Sequence, residues 1–255
     1  MLLPERFAGD EAAARAAVDL FWADVVKVLE SNGIPTKGAF NELKAHRLIR
    51  FFDTDEFELN AARYIFRERI DVDTGEREVT LKFRHPDRYV AADRSMESSS
   101  SKDTETKFEE DVKPPFTSVF SFSTTIAMDD DITIAELRQV ADLFPGLADE
   151  LDDFPADARL SLVRDFTARE TVLVGAVALL GKHKVEAECA LVIWHDDDDP
   201  TTPPVAVEFS FKYGDDDENY KGSAAREAYE ALDLLNSLEA WVHPKPRTKT
   251  AFVYG

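Results

Sequence analysis

Apolar positions along the 255 residues change their period several times. Over residues 10–30, Leu20, Phe21, Val25, Val28 and Leu29 recur at helical spacing behind an alanine-rich first turn. Asp10 stands where a cap belongs, and Asn32-Gly33 stops the pattern. Residues 47–53 read as a strand ending in a turn at Asp53-Thr54-Asp55. Residues 64–72 and 77–84 read as two strands joined by the hairpin turn Asp73-Thr74-Gly75-Glu76. The polar stretch 93–106, with serines at 98–101, is predicted as a mobile loop, and residues 107–112 and 116–125 as two further strands. Residues 134–151 form an amphipathic helical pattern, capped by Thr133 and broken at Pro145-Gly146. Residues 160–180, 184–195 and 205–213 are strand regions, with a turn at Gly181 and acidic loops at 196–199 and 215–218. The spacing then predicts a helix over 223–238 and a last strand over 248–254. Strands outnumber helices throughout, with no linker and no repeat. The prediction is an α+β fold, one domain over 1–255, in which an antiparallel sheet closes into a barrel decorated by helices.

Alternation along a strand assigns side chains to two faces. Arg67 and Arg69 share a face, as do Lys82 and Arg84, opposite Leu81 and Phe83. Lys107, Glu109 and Asp111 share one, as do Thr167 and Arg169. Glu208, Ser210 and Lys212 lie opposite Val207, Phe209 and Phe211, and Thr248 and Thr250 lie opposite Lys249. A sheet with one solvated side carries this same pattern. In a closed barrel wrapped by helices, the apolar face meets the helices and the charged face points into the lumen. Arg and Lys there suit phosphate groups, and carboxylates suit divalent cations.

Charge sharpens that picture. The chain has 30 Lys and Arg against 51 Asp and Glu, a net −21, while 44% of its residues are hydrophobic and 11% aromatic. The core is ample, and non-specific nucleic-acid binding by so acidic a surface is disfavoured, although a basic pocket inside it is not. The single cysteine, Cys189, allows no intrachain disulfide, so a reducing cytoplasm is expected. The first residues lack the basic start and apolar stretch of a signal peptide. The longest apolar run, 172–180, is too short to span a membrane.

Several short motifs in order resemble the CYTH family, the triphosphate tunnel metalloenzymes, which include thiamine triphosphatase, inorganic triphosphatases and class IV adenylyl cyclases. Phe51-Phe52-Asp53-Thr54 is similar to that family's Tyr-Phe-Asp-Thr turn, and Phe66-Arg67-Glu68-Arg69 to its strand with two inward arginines. Val79-Thr80-Leu81-Lys82 is similar to its Leu-Thr-Leu-Lys strand. Lys107-Phe108-Glu109-Glu110-Asp111 is similar to Arg-x-Glu-x-Glu, with Lys107 in the arginine place. Ala168-Arg169 resembles a Lys-Arg pair, Val207-Glu208-Phe209-Ser210 a late Glu-x-Glu strand, and Thr248-Lys249-Thr250 a Ser-Lys-x near the end. The family's N-terminal Glu-x-Glu-x-Lys strand is reduced here to Glu5 in Leu3-Pro4-Glu5-Arg6-Phe7, and Ser210 replaces the second late glutamate. The acidic residue expected near 194–196 has no fixed register.

The resemblance implies a triphosphatase dependent on Mg²⁺ or Mn²⁺, acting on an inorganic or organic triphosphate. Arg67, Arg69, Lys82, Arg84, Lys107, Arg169, Lys212 and Lys249 would grip the substrate. Glu109, Asp111 and Glu208 would hold the metal, and Glu109, Lys82 and Arg169 would serve the chemistry. The reduced first strand supports an alternative, a tunnel that binds a phosphorylated or polyanionic ligand or a protein partner without turnover. A nucleotidyl cyclase is a third reading, with no base-recognition pocket to identify it. Other motifs lead away from chemistry. Gly175 and Gly181 are separated by five residues rather than the four of a phosphate-binding loop, with His183 where Ser or Thr is needed. His183 and His195 have no cysteine cluster for zinc. Cys189 lies in an apolar strand and reads as a structural thiol. The adjacent Phe21 and Trp22 suggest that at least one faces a groove or a partner.

Overall fold

The structure is a computed structural model that describes residues 1–130, 132–151, 155–198, 203–214 and 222–255. Of the predicted acidic loops, residues 199 and 215–218 therefore lie outside the described residues. A 3₁₀ turn at Pro4–Phe7 precedes α1 (Glu11–Ser31), β1 (Thr36–Lys37), β2 (Glu42–Thr54), α2 (Glu58–Ala61), β3 (Tyr64–Asp71), β4 (Arg77–His85) and α3 (Arg88–Ala92). There follow β5 (Thr104–Lys113), β6 (Thr117–Met128), α4 (Leu137–Leu143), α5 (Leu147–Glu150), β7 (Leu160–Val174), β8 (Val177–Leu180), β9 (Val185–Asp196), β10 (Ala206–Lys212), α6 (Gly222–Asn236) and α7 (Lys249–Tyr254). The mixed α+β class is as expected, and the recorded strand pairs are antiparallel. The chain forms two compact units, one of Met1–His46 and Ala168–Phe252, the other of Arg47–Thr167 and Val253–Gly255.

In the first unit, β9 is the hub. It pairs β8 through residues 185–188, β7 through 191–196, and β10 through 188–194. Its inward side chains Ala187, Cys189, Leu191 and Ile193 meet Val207 of β10 and the apolar faces of α1 and α6 in one core. Asp10 caps α1 by accepting from Ala13 N at 2.9 Å. Phe21 and Trp22 do not face a groove. Both are buried, Phe21 against Phe209 and Trp241, and Trp22 against Phe40 with its indole donating to Gly38 O at 2.9 Å. The predicted strand region 160–180 is two strands parted at Gly175. Its φ of 103° and its close approach to Ala39 O exclude a side chain there.

In the second unit the strand order is β2-β3-β4-β6-β5. Asp71 builds the β3–β4 turn, accepting from Thr74 N at 2.8 Å and Asp73 N at 3.0 Å, while Gly75 takes φ 76°. Leu81 and Phe83 join Tyr64, Phe66, Leu137, Val140 and Phe144 in a second core. Where one long helix was expected over 134–151, α4 and α5 are separate. The cap is Glu136, boxed with Gln139, rather than Thr133. The 93–106 segment is anchored rather than simply mobile: Met96 is buried, its carbonyl accepts from Thr124 Oγ1 at 2.6 Å, and Ser99 N donates to Leu143 O. The last predicted strand is instead α7, because Thr248 Oγ1 accepts from Ala251 N at 3.1 Å and starts a helical turn. Among the described residues the pairings do not close into a ring by hydrogen bonds. Among the described residues β5 pairs with β6 alone, and charged side chains run along this edge strand. No helix among the described residues is long and apolar enough to cross a membrane.

Candidate functional site

Register assigns the faces of the second unit. Lys82 stands opposite Ser123 and Arg84 opposite Ser121 across β4–β6, while Lys107 and Glu109 stand opposite the same two serines from β5. Arg67 and Arg69 pair with Thr80 and Glu78 on β4 and with Phe51 and Ile49 on β2. The predicted face-sharing of Arg67 with Arg69, of Lys82 with Arg84, and of Lys107 with Glu109 and Asp111 is thus what the register shows. Directly opposed residues project to one side of a sheet, so these charges line a single face. That face is not an ordinary solvated one. Thr80 and Ser121 are buried, Ile49, Phe51 and Ile65 are buried beside them, and the Lys82 side chain is only 16% exposed.

The charges on this face are graded. Arg67, Arg69, Lys82 and Arg84 lie on the middle strands, β3 and β4, with Glu78 among them, while the edge strand β5 carries Glu105, Glu109 and Asp111 beside Lys107. Arg69 donates to Glu78 at 2.8 Å. Lys82 Nζ lies 3.6 Å from Glu109 Oε2, and Arg84 lies 3.8 Å from Asp111 Oδ2. Both of these pairs are longer than a charge-assisted hydrogen bond. Burial, followed by the Arg84 charge, pushes the Lys82 ammonium down to about 8. Asp111 and Glu109 oppose that shift, and Arg67 adds to it. Lys107 lies toward the exposed end of the face and pairs with Glu105 at 2.8 Å.

A second cluster sits in the first unit. Lys249, at the start of α7, places Nζ 3.1 Å from Glu208 Oε1, 3.9 Å from Glu170 Oε2 and 5.5 Å from the Trp194 ring centre. The Trp194 indole donates to Glu170 Oε2 at 2.7 Å. The register of β9 with β7 and β10 puts Glu170, Trp194 and Glu208 on one face. Arg169 was expected with this set, but its neighbour Glu170 takes the place. Arg169 projects to the opposite face and holds Asp197 through Nε at 2.9 Å. Lys212 is exposed at the end of β10, opposite Glu188. Glu170 was missed because the strand was read from Arg169. The signal was Trp194, whose buried indole needs an acceptor.

Elsewhere, burial pushes Cys189 up to about 12 and His195 down. Leu2 bridges Val207 and Val242, and the 3₁₀ turn that follows leaves Glu5 exposed, so the reduced first strand is not a strand. Among the described residues no three His, Cys, Asp or Glu side chains gather as a metal cage. Glu109 and Asp111 remain a pair of hard oxygen donors on one face, which suits Mg²⁺ or Mn²⁺ when phosphate and water complete its shell.

No protein-family model matches the sequence, and no curated protein matches it. Among solved structures, the chain is similar to HpAC1 from Hippeastrum, assigned as an adenylyl cyclase and described as having a dominant triphosphatase activity. The identity is 11% and the TM-score 0.44, over 90% of this chain and 89% of that one. The site is accordingly argued from its own residues.

Proposed function

We propose that this protein binds a triphosphate on its basic strand face and hydrolyses it with Mg²⁺ or Mn²⁺. One observation carries the reading: Lys82, nearly buried, lies beside Arg67 and Arg84, and its nearest carboxylate among the described residues is Glu109 at 3.6 Å. A fold keeps cations so close and so dry where an anion offsets their repulsion and desolvation. Arg67, Arg69, Lys82 and Arg84 take the phosphate oxygens. Glu109 and Asp111 would hold the metal, which supplies Lewis-acid neutralisation of the phosphate charge. Glu109 accepts a proton from the attacking water as its oxygen bonds the terminal phosphorus. The bridging P–O bond breaks, and its electron pair leaves with the diphosphate. A closed tunnel belongs to this proposal, as does the kinship with the triphosphate tunnel metalloenzymes that the strand motifs favour.

The exposed Glu5, standing in a 3₁₀ turn where the resembled family has a strand, favours a second reading, a face that binds polyanions without turnover. Phosphate release from tripolyphosphate and ATP, with Mg²⁺, Mn²⁺ or chelator, separates the two when run beside thermal shift. Metal-dependent release supports hydrolysis. A thermal shift without release supports binding alone. Neither signal overturns both.

A further inference from the structure

Ser121 lies in the middle of β6, wholly buried at 0% exposure, and its Oγ has no hydrogen-bond partner among the described residues. Its neighbours show how unusual that is. Thr80 and Thr125 bond each other at 2.9 Å, Thr106 bonds Thr124 at 2.8 Å, and Thr124 also donates to Met96 O at 2.6 Å. Ser118, three residues away and on the other face, donates to Glu110 at 2.5 Å. A buried hydroxyl without a partner destabilises a fold, and strand interiors seldom keep one unless something else bonds it. The register shows which side it faces. Ser121 is opposite Arg84 on one flank and Glu109 on the other, within the basic face and one pair from Lys82. A hydroxyl beside an arginine, a lysine and a carboxylate can donate, and a phosphate oxygen held by those cations offers only lone pairs.

We infer that Ser121 is a ligand-contacting residue of this face, its hydroxyl donating to a phosphate oxygen gripped by Lys82 and Arg84; this rests on the triphosphate-binding reading above. Ser121 adds direction where the long flexible cations add charge, so it favours a tetrahedral oxyanion over a planar carboxylate of equal charge.

The test compares Ser121→Ala with Ser118→Ala, reading tripolyphosphate affinity by calorimetry and melting temperature without ligand. Ser121→Ala is expected to weaken tripolyphosphate about tenfold or more, as for a lost hydrogen bond to a charged group. Its ligand-free melting temperature is expected to hold or rise, since a costly hydroxyl has gone. Ser118→Ala is expected to leave affinity within about twofold. Unchanged affinity in Ser121→Ala, with wild type binding normally, overturns the inference and leaves the triphosphate reading standing. A fall of several degrees in the ligand-free protein also overturns it, because the hydroxyl then has a structural partner. If wild type does not bind tripolyphosphate at all, the reading of the face falls, and this inference with it.

Discussion

Replacing Lys82 by Met keeps the side chain's length and removes its charge. The Lys82 side chain is 16% exposed, and its ammonium is pushed from 10.5 to about 8, first by burial and then by Arg84. A depression of about 2.5 at roughly 1.4 kcal/mol per pKa unit means the charged form opposes folding by ~3 kcal/mol. The sign follows from proton counts. Below pH 8 both folded and unfolded chains carry the proton, and the full cost is present. Between 8 and 10.5 the folded chain releases it first, the unfolded state binds more protons, and stability rises with pH. Lys82→Met is therefore expected to be more stable than wild type by ~3 kcal/mol at pH 7, or about 6 °C or more in melting temperature. That gap should close as pH climbs from 8 to 10.5. Urea unfolding of both proteins at pH 7, 8, 9 and 10 reads it directly, and the other titrating groups cancel in the difference. The same variant should lose tripolyphosphate binding. A variant less stable than wild type at pH 7, or a gap independent of pH, would refute the account of Lys82 as a cation held against its own desolvation.

Other outcomes follow from the same geometry. Glu109→Gln should abolish metal-dependent phosphate release while sparing metal-free tripolyphosphate binding; equal release with and without chelator in wild type removes the metal from the mechanism. Arg169→Ala should leave tripolyphosphate affinity within about twofold, because Asp197 already holds its guanidinium; calorimetry decides. Glu68 is buried between Arg77 at 2.6 Å and Arg50 at 3.4 Å, so Glu68→Gln should cost about 3 kcal/mol in urea unfolding, and a cost below about 1 would mean the pair is effectively solvated.

Much of the basic face was legible in the sequence because alternation is a local rule. Once 64–72 and 77–84 are read as a hairpin about Asp73-Thr74-Gly75-Glu76, the faces of Arg67, Arg69, Lys82 and Arg84 follow without further knowledge. Ser121 and Glu170 were not legible. A serine in a strand says nothing about whether its hydroxyl is partnered. Glu170 emerged only when its indole donor on β9 was placed opposite it. The end of the chain was misread for a different reason. Residues 248–254 have strand-forming composition, but Thr248 can cap, and a cap hydrogen bond outweighs weak propensity over six residues. Burial was also beyond reach: no pattern of letters distinguishes a fully solvated charged face from a half-buried one.

That distinction bears on how so acidic a chain could bind a polyanion. A net charge of −21 repels a triphosphate at long range, and salt screens that repulsion over about 8 Å at physiological strength. Diffusional steering therefore works against encounter, and affinity has to come from contacts shorter than the screening length. Surface lysines scattered over the protein would be of little use, because their field merges with that of 51 acidic residues. Cations gathered on β3 and β4, in surroundings dry enough to depress Lys82, act at short range and high strength. On the binding reading proposed above, Glu109 and Asp111 on the neighbouring edge strand would offset part of the repulsion among these cations until a ligand arrives. The carboxylates thus have a role before any metal is considered. Separations of 3.6 Å from Lys82 and 3.8 Å from Arg84 exceed a charge-assisted hydrogen bond, so on that reading an arriving phosphate oxygen would have no such bond to break between these pairs.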